Sequence, residues 1–353
     1  MDRRRALRML AVSATAAVLP KPVRAEEPPK RTALGLVAYC CRLRRDKLRR
    51  ADNNVDLYEP HRLLEHCRQL GAGGMQVSLG VLEPNATRTL RNKAEQGGLF
   101  IEAIVGAPKE KKDLERLDAQ LKTAVAVGAK AVRTTIIPGR RYEYFDSLEK
   151  FREFDARGRR SLELAAPLAE KHRIPLAVEN HKDHRNDERV ALFEHISSEY
   201  VGACVDTGNS FALLEDPIET VERLAPWAHS VHLKDQAVEL HKDGFLLGDI
   251  PLGQGFLDLK TMVAILRKQK PDIRFSLELI TRDPLKVPVL GEKYWATFPN
   301  LPASDLARTL RQVRGGETSN LQQITSRPFA AQVAREDQNV RESLDYAREH
   351  LKL

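Results

Sequence analysis

The stretch Ile174-Pro-Leu-Ala-Val-Glu179-Asn-His181 has a form that recurs along the chain: a short apolar run that ends on a charged residue. Such runs alternate with longer stretches in which apolar residues recur at i, i+3 and i+4, the spacing typical of amphipathic helices. The eight predicted strands are residues 33–39, 74–79, 100–105, 131–137, 174–180, 201–206, 229–233 and 274–280. Strands that alternate with helices build parallel sheets, and the sequence has no Gly-rich phosphate-binding fingerprint. The pattern therefore predicts a closed (β/α)8 TIM barrel over residues 33–315, with a doubly wound open sheet as the alternative.

Two segments depart from a plain barrel. Residues 237–248 alternate around Asp243-Gly244, a dipeptide that predicts a β-hairpin after the seventh strand. A proline-rich loop over residues 281–302 follows the eighth strand. Residues 316–353 are predicted to form a C-terminal helical extension that caps the barrel and is not a second domain.

Residues 1–25 predict an export signal. A basic cluster that includes Arg3-Arg4-Arg5 precedes an uncharged apolar run, and Val23-Arg24-Ala25 is similar to a small-residue cleavage site. A membrane span would need roughly 20 apolar residues, more than this run contains. The consecutive arginines favour the twin-arginine route, so the mature protein is expected in the periplasm or outside the cell. An N-terminal anchor or a basic disordered tail is the alternative.

Most of the positive charge of the chain lies in this signal. The full chain has a net charge of +8, and removal of six basic residues and one acidic residue leaves 51 Lys+Arg against 48 Asp+Glu, or +3. We therefore expect a small-molecule sugar substrate, no nucleic-acid partner and no membrane span after signal removal. The sequence does not determine whether the protein forms a homo-oligomer.

Two local features have simple structural interpretations. The basic cluster at residues 42–50 is predicted to be a solvated loop, with an anion-binding rim as the alternative. Four cysteines are too few for a disulfide scaffold, so we expect them to pack in the core. A disulfide bond that involves Cys67 is the alternative if the protein resides in an oxidising compartment.

Four consecutive predicted strands, the fifth to the eighth, end on side chains that bind metals. These are Glu179, Asp206, His232 and Glu278. The carboxyl ends of barrel strands meet at one end, where active sites lie, and residues two apart on a strand share a face. Each of the four, with the small or thiol residue two positions before it, is therefore expected to point inward.

A metal ion is the simplest explanation for this set. One strand-end carboxylate alone is more often a helix cap or a salt-bridge partner, and one histidine alone is more often a core residue. Three carboxylates brought so close, however, repel each other unless a cation lies between them. Oxygen ligands with one imidazole suit one divalent ion, Mn²⁺ or Mg²⁺ first, with Co²⁺ or Zn²⁺ as alternatives.

The sequence resembles the xylose isomerase-like barrel superfamily, in the branch called sugar phosphate isomerases/epimerases, over roughly residues 33–315. The resemblance rests on the motifs at residues 178–181, 205–209, 231–235, 251–258 and 277–278. It implies that Glu179, Asp206, His232 and Glu278 bind the metal and that the two glutamates form the acid/base pair. Relatives often carry Glu at the position of Gln254, and some epimerases carry a substrate-binding histidine at that of Asn209, so the substrate stays open.

The resulting prediction is a metal-dependent isomerase or epimerase that acts on a keto-sugar. A cation that binds a carbonyl and the neighbouring hydroxyl stabilises the enediolate that forms when the intervening proton leaves. Two carboxylates can move that proton, so Glu179 and Glu278 are the predicted catalytic residues. The predicted substrate contacts are Arg133, His181, Asn209, Lys234 and Gln254. For Lys234, a surface salt bridge with Asp235 is the alternative.

Three other functions are weighed against this one. Loss of a β-substituent from the same intermediate would make the protein a lyase or dehydratase of an oxidised sugar or glycoside, which export favours. A non-catalytic sugar-binding barrel would not need the glutamate pair. A zinc endonuclease would need several metal ions and many histidines, and the mature charge is too small for it.

Overall fold

The computed structural model describes residues 30–137, 139–316 and 321–353. Its strands are β1 (Gly35–Val37), β2 (Gly74–Val77), β3 (Phe100–Ile104), β4 (Val132–Thr134), β5 (Leu176–Glu179), β6 (Val201–Asp206), β7 (Ala228–Leu233), β8 (Asp235–His241), β9 (Gly244–Ile250), β10 (Phe275–Leu277) and β11 (Leu285–Val287). Eight parallel strands close into a barrel in the order β1-β10-β7-β6-β5-β4-β3-β2. This arrangement confirms the predicted TIM barrel and excludes the open sheet. Each predicted strand overlaps an observed one.

The α-helices of the described residues pack around the barrel or against the segments added at its carboxyl end. They are α1 (Arg42–Ala51), α2 (Pro60–Leu70), α3 (Pro84–Gly97), α4 (Leu114–Ala126), α5 (Arg141–Tyr144), α6 (Leu148–His172), α7 (Asn186–Ile196), α8 (Pro217–Leu224), α9 (Leu259–Gln269), α10 (Glu292–Trp295), α11 (Ala303–Gly315) and α12 (Phe329–His350). Local sequence sets the ends of α2: the Glu59 side chain accepts hydrogen bonds from the first backbone amides, and Gly71 ends the helix at φ 76°. The periodicity of α2 and α8 predicts both helices at the observed bounds.

The basic cluster forms helix α1, so its prediction as a solvated loop is wrong. The Glu336 carboxylate of α12 accepts hydrogen bonds from the Leu43 and Arg44 amides, both at 2.8 Å, and so caps the first turn of α1. Arg44 pairs with Asp337, and Arg45 pairs with Asp56 at 2.6 Å. The groups that stabilise the helix are mostly distant in sequence, which is why the local charge pattern did not indicate it.

Helix α12 packs as part of the barrel. Val340, Leu344 and Ala347 belong to the same apolar core as the outward faces of the barrel strands. Helix α11 instead packs beneath an added sheet, where Val313 is buried. The two C-terminal helices thus pack into different apolar cores.

The added sheet extends from the carboxyl end of β7. Strands β8 and β9 form the predicted hairpin, and β11 pairs antiparallel with β9. A second apolar core beneath the sheet contains Phe211, Phe245 and Tyr294. The loop at 281–302 is thus more ordered than expected, because β11 and α10 both form within it.

All four cysteines are free and buried, as expected for packing residues, and Cys67 forms no bridge. The predicted export signal at 1–25 lies outside the described residues. Among the helices within the described ranges, none is both long and apolar enough to cross a membrane.

Replacement of Glu336 by alanine tests the contact between α12 and α1. The substitution leaves two amides of the first turn of α1 without their acceptor. We expect the free energy of unfolding to fall by about 1–3 kcal/mol, measured by urea denaturation. Glu349→Ala, an exposed change on the same helix, should alter it by less than about 0.5 kcal/mol. Equal effects of the two changes would show that the cap does not stabilise α1.

Candidate metal centre

The structure brings the four predicted ligands together at the carboxyl end of the barrel. Glu179, Asp206 and His232 lie on the neighbouring strands β5, β6 and β7, and Glu278 directly follows β10, the next strand in the barrel. One potential ligand atom from each lies within 4.8 Å of all the others. His232 Nδ1 is 3.6 Å from Glu179 Oε2, 3.5 Å from Glu278 Oε2 and 4.0 Å from Asp206 Oδ2. All four side chains are buried.

The alternation of side chains along each strand explains this convergence. Val178, Val205, Val231 and Leu277, which neighbour the four ligands, pack in the core between strands and helices. The ligands and the residues two positions before them therefore face inward, as the sequence pattern predicts. The small side chains of Ala177 and Ser230 are both fully buried.

Hydrogen bonds from side chains to the backbone hold the carboxyl ends of β6 and β10 in place. The Asn180 side chain donates to the Asp206 carbonyl at 2.9 Å and accepts from the Asp206 amide at 2.7 Å. Cys40 Sγ donates to the Leu277 carbonyl at 3.0 Å and accepts from the Leu279 amide at 3.2 Å. The Cys40 thiol thus binds the backbone on both sides of the residue that carries the Glu278 carboxylate.

A buried relay orients the His232 ring. His232 Nε2 lies 2.8 Å from Gln76 Oε1, and Gln76 Nε2 donates to Glu102 Oε2 at 2.9 Å. Ser230 Oγ donates to the same Glu102 oxygen at 2.7 Å. Because the Gln76 amide nitrogen faces Glu102, its oxygen faces the imidazole and can only accept a hydrogen bond. His232 Nε2 therefore carries a proton, and Nδ1 points to the three carboxylates.

The atoms at the centre of the cluster fit a divalent cation. His232 Nδ1 is buried and has no hydrogen-bond partner among the described residues. Asp206 Oδ1 accepts from the Gly208 and Asn209 amides at 3.0 and 2.8 Å, which leaves Oδ2 facing the cluster. Burial lowers the pKa of His232, but Cys204, Glu278 and Glu179 outweigh burial and hold that pKa well above its usual value. The centre of the cluster therefore favours positive charge.

Two cationic side chains balance the carboxylates. Arg133 Nε donates to Glu179 Oε2 at 2.7 Å, and Lys234 Nζ lies 2.9 Å from both Glu278 Oε2 and Asp206 Oδ2. Burial raises the pKa of Glu179, but Arg133 outweighs it and leaves that pKa below its usual range. Burial raises the pKa of Asp206 to about 7, against the opposing effect of Lys234.

The two glutamates differ in their access to solvent-filled space. Both oxygens of Glu179 are engaged, Oε2 by Arg133 and Oε1 by Asn209 Nδ2 at 3.1 Å, and the side chain is fully buried. Glu278 lies on the wall of a cavity of about 280 Å³. This cavity is lined by Tyr39, Arg133, Thr135, His181, Lys182, Lys234, Glu278, Ile280 and Arg282. This volume is just below the roughly 300–1,000 Å³ typical of ligand sites, so the cavity suits a small ligand.

A larger cavity lies outside the cluster. It measures about 700 Å³, between α6, α7 and the loop around Phe298, and shares no lining residue with the smaller one. Because no cluster ligand borders it, we assign the candidate active site to the smaller cavity.

Three of the five predicted substrate contacts line the cavity, and two do not. Arg133, His181 and Lys234 line the cavity. Asn209 is not among the lining residues; it forms hydrogen bonds with Glu179, Lys182 and Lys234. Gln254 is exposed and donates to Glu342 of α12 at 2.9 Å, so the structure does not bring it to the site.

The loop that contains Gln254 has a structural role. Asp235 Oδ2 accepts from the Gly253 and Gly255 amides, both at 2.9 Å, and this contact replaces the Lys234–Asp235 salt bridge considered as an alternative. A side chain at Gly255 would collide with Asp235, so the glycine allows the loop to close around the carboxylate.

Sequence reasoning missed Lys182, Arg282 and Tyr39 on the cavity wall. Lys182 and Arg282 lie in loops that follow strands, and Tyr39 lies in a one-turn 3-10 helix directly after β1, so no periodic pattern marks them. Lys182 could have been found, since it stands only three positions after Glu179.

Comparison with known proteins agrees with the barrel fold. A family model described as xylose isomerase-like TIM barrel matches residues 64–311. The chain belongs to this family. It is 26% identical over 222 residues to 3-oxo-isoapionate decarboxylase of Pectobacterium atrosepticum. The aligned region covers 61% of this chain and 76% of that protein.

Solved structures of the family share the fold at low identity. A D-psicose 3-epimerase crystallised with D-fructose superposes with a TM-score of 0.55 at 15% identity, over 84% of this chain and 94% of that one. A xylose isomerase-like protein from Mycobacterium smegmatis, in complex with magnesium, gives 0.52 at 15% identity, over 81% and 99%. At such identity these likenesses show the fold alone.

Replacement of Gln76 by leucine tests whether the relay prepares His232 to bind metal. Without the acceptor at Nε2, the imidazole loses its fixed tautomer and orientation. We expect the affinity for Mn²⁺, measured by calorimetry on the full chain, to fall about 10–100-fold. Gln254→Leu, at an exposed glutamine, is the matched control and should bind Mn²⁺ like the unchanged protein. Unchanged affinity in Gln76→Leu would show that the relay does not prepare His232 to bind metal.

Proposed function

We propose that the protein is a metal-dependent isomerase or epimerase of a keto-sugar, which transfers a proton through an enediolate. The observation that carries this proposal is the buried set of four potential ligands with one of its glutamates on a sugar-sized cavity. The sugar epimerase among the solved structures of the same fold supports it.

The proposed ligands are Glu179, Asp206, His232 and Glu278. A divalent cation held by them would supply a Lewis acid that stabilises negative charge on a substrate carbonyl and its neighbouring hydroxyl. Three carboxylates and one imidazole suit Mn²⁺ or Mg²⁺, with Co²⁺ or Zn²⁺ as alternatives. The magnesium bound to the relative from M. smegmatis supports a hard ion of this kind.

Glu278 is the proposed proton acceptor because its carboxylate is the one on the cavity wall. Lys234 donates to Glu278 at 2.9 Å and faces the same cavity, so it can keep the carboxylate ionised and then donate to a substrate oxyanion. These two groups suffice to move a proton between adjacent carbons, as isomerisation requires.

Epimerisation needs a second carboxylate on the opposite face of the substrate. Glu179 is the proposed partner, and its bonds from Arg133 and Asn209 keep it ionised and turned from the cavity. It would have to leave these bonds to deliver a proton. The geometry therefore favours isomerisation within this proposal.

A lyase that acts on an oxidised sugar is the second candidate. The similarity to a protein named 3-oxo-isoapionate decarboxylase favours it. In decarboxylation of a 3-oxo acid, the bond to the carboxyl carbon breaks, carbon dioxide leaves and its electron pair forms an enolate, which then takes a proton. That final step needs one proton donor on the cavity wall, and the Lys234 ammonium can serve as that donor. Secretion of the mature protein, which also favours this candidate, remains a prediction.

Incubation with keto-sugars in D₂O separates the candidates. With Mn²⁺-loaded protein and D-fructose or a 3-keto-glucoside, NMR should show one solvent deuterium at a carbon next to the carbonyl. We expect Glu278→Gln to slow this exchange by about 10²–10⁴-fold, because the proton acceptor is lost. Glu65→Gln, at an exposed glutamate on α2, should leave it unchanged.

Other outcomes of the same experiment have clear meanings. Release of carbon dioxide from a 3-oxo sugar acid, without exchange into keto-sugars, would replace isomerisation by the lyase. Binding without exchange or bond cleavage would contradict both enzymes and favour a sugar-binding barrel.

A further inference from the structure

Lys182 is a buried cation on the cavity wall. The residue is 4% exposed, and its ammonium donates to Asn209 Oδ1. Among the described residues, no carboxylate oxygen lies within 4.0 Å of the Lys182 ammonium. Burial and the nearby Lys234 lower the pKa of Lys182 to about 8. A buried charge paired only with a neutral amide is unfavourable, so this position calls for an explanation.

The backbone holds Lys182 in an uncommon conformation. Its φ of 63° lies in the left-handed region, which residues other than glycine seldom adopt. Asp183 Oδ1 accepts from the amides of His181 and His184 at 3.1 and 2.8 Å, and Arg189 pairs with the same carboxylate at 2.5 Å. A buried ion pair thus secures the strained turn, as is common where a side chain must be placed for binding.

The other charges around the cavity are already matched. Arg133 pairs with Glu179, and Lys234 pairs with Asp206 and Glu278. Arg282 lies 3.7 Å from Asp249 of β9, and its charge is among those that lower the pKa of Lys182. The four carboxylates of this set are thus balanced by four cations. The carboxylates are Glu179, Asp206, Asp249 and Glu278, and the cations are Arg133, Lys182, Lys234 and Arg282. A divalent ion at the proposed centre would leave this set with two more positive than negative charges.

We propose that the substrate carries an anionic group, a carboxylate or a phosphate, which Lys182 binds together with Arg282. This inference rests on the proposed function, since it places the sugar carbonyl beside Glu278 in the same cavity. Both cations line that cavity, whose volume of about 280 Å³ limits the substrate to a single sugar unit with its anionic group. A keto-sugar acid has this chemistry, and so does a sugar phosphate.

Calorimetric titration of the Mg²⁺-loaded full chain tests the proposal. The probes are D-fructose, 2-keto-D-gluconate and D-fructose 6-phosphate, which share a six-carbon 2-keto sugar frame and differ in charge. We expect at least one anionic probe to bind tenfold or more tightly than D-fructose. Tighter binding of 2-keto-D-gluconate identifies a carboxylate site, and tighter binding of the phosphate ester identifies a phosphate site.

Lys182→Met is the decisive variant, with Lys260→Met at an exposed lysine of α9 as the matched control. Lys182→Met should lose the preference for the anionic probe and keep its affinity for D-fructose and Mg²⁺. Its thermal unfolding midpoint should be at least that of the unchanged protein, because an unmatched buried charge is removed. Lys182→Gln repeats the test if the methionine variant does not fold.

Two results would overturn the inference. Equal binding of charged and neutral probes by the unchanged protein would show that no anion site exists. A lower unfolding midpoint in both Lys182 variants, with the anion preference intact, would show that the lysine has only a structural role. Either result leaves deuterium exchange into D-fructose unaffected, so failure of this inference is distinguishable from failure of the proposed function.

Discussion

The mutual repulsion of three buried carboxylates is the constraint on which the rest of the site depends. Glu179, Asp206 and Glu278 meet around His232 Nδ1 within 4.8 Å, where water cannot screen them. The surrounding structure compensates this repulsion. Arg133 and Lys234 supply positive charge, and the Gly208 and Asn209 amides bind one oxygen of Asp206. The space between the three carboxylates and His232 Nδ1 therefore still favours a bound cation.

The barrel turns this electrostatic need into a defined geometry. Adjacent parallel strands place one ligand each at the same end, and the outward neighbours of the ligands are anchored in the apolar core. The relay from His232 through Gln76 to Glu102 crosses the barrel interior from β7 to β2 and β3. The site is therefore supported by strands from both sides of the barrel, and the added sheet contributes Asp249 beside Arg282.

Features that depend on local periodicity could be predicted from the sequence. The alternation along strands was enough to indicate which faces of β5, β6, β7 and β10 turn inward, and Asp243-Gly244 was enough for the hairpin. Features that depend on distant partners could not. Helix α1 requires Glu336 from the far end of the chain, and Asp235 needs the glycine amides of a later loop. Lys182 was missed because its backbone follows no repeating pattern, and Gln254 was misplaced because motif position does not report side-chain direction.

Metal content tests the central claim most directly. The full chain, purified without chelators, would be analysed by elemental mass spectrometry and compared with an Asp206→Ala, His232→Ala double variant. The account predicts about one divalent ion per chain in the unchanged protein and none in the double variant, with both proteins folded by circular dichroism. Absence of a divalent ion from the unchanged protein, even after incubation with Mn²⁺, would contradict it.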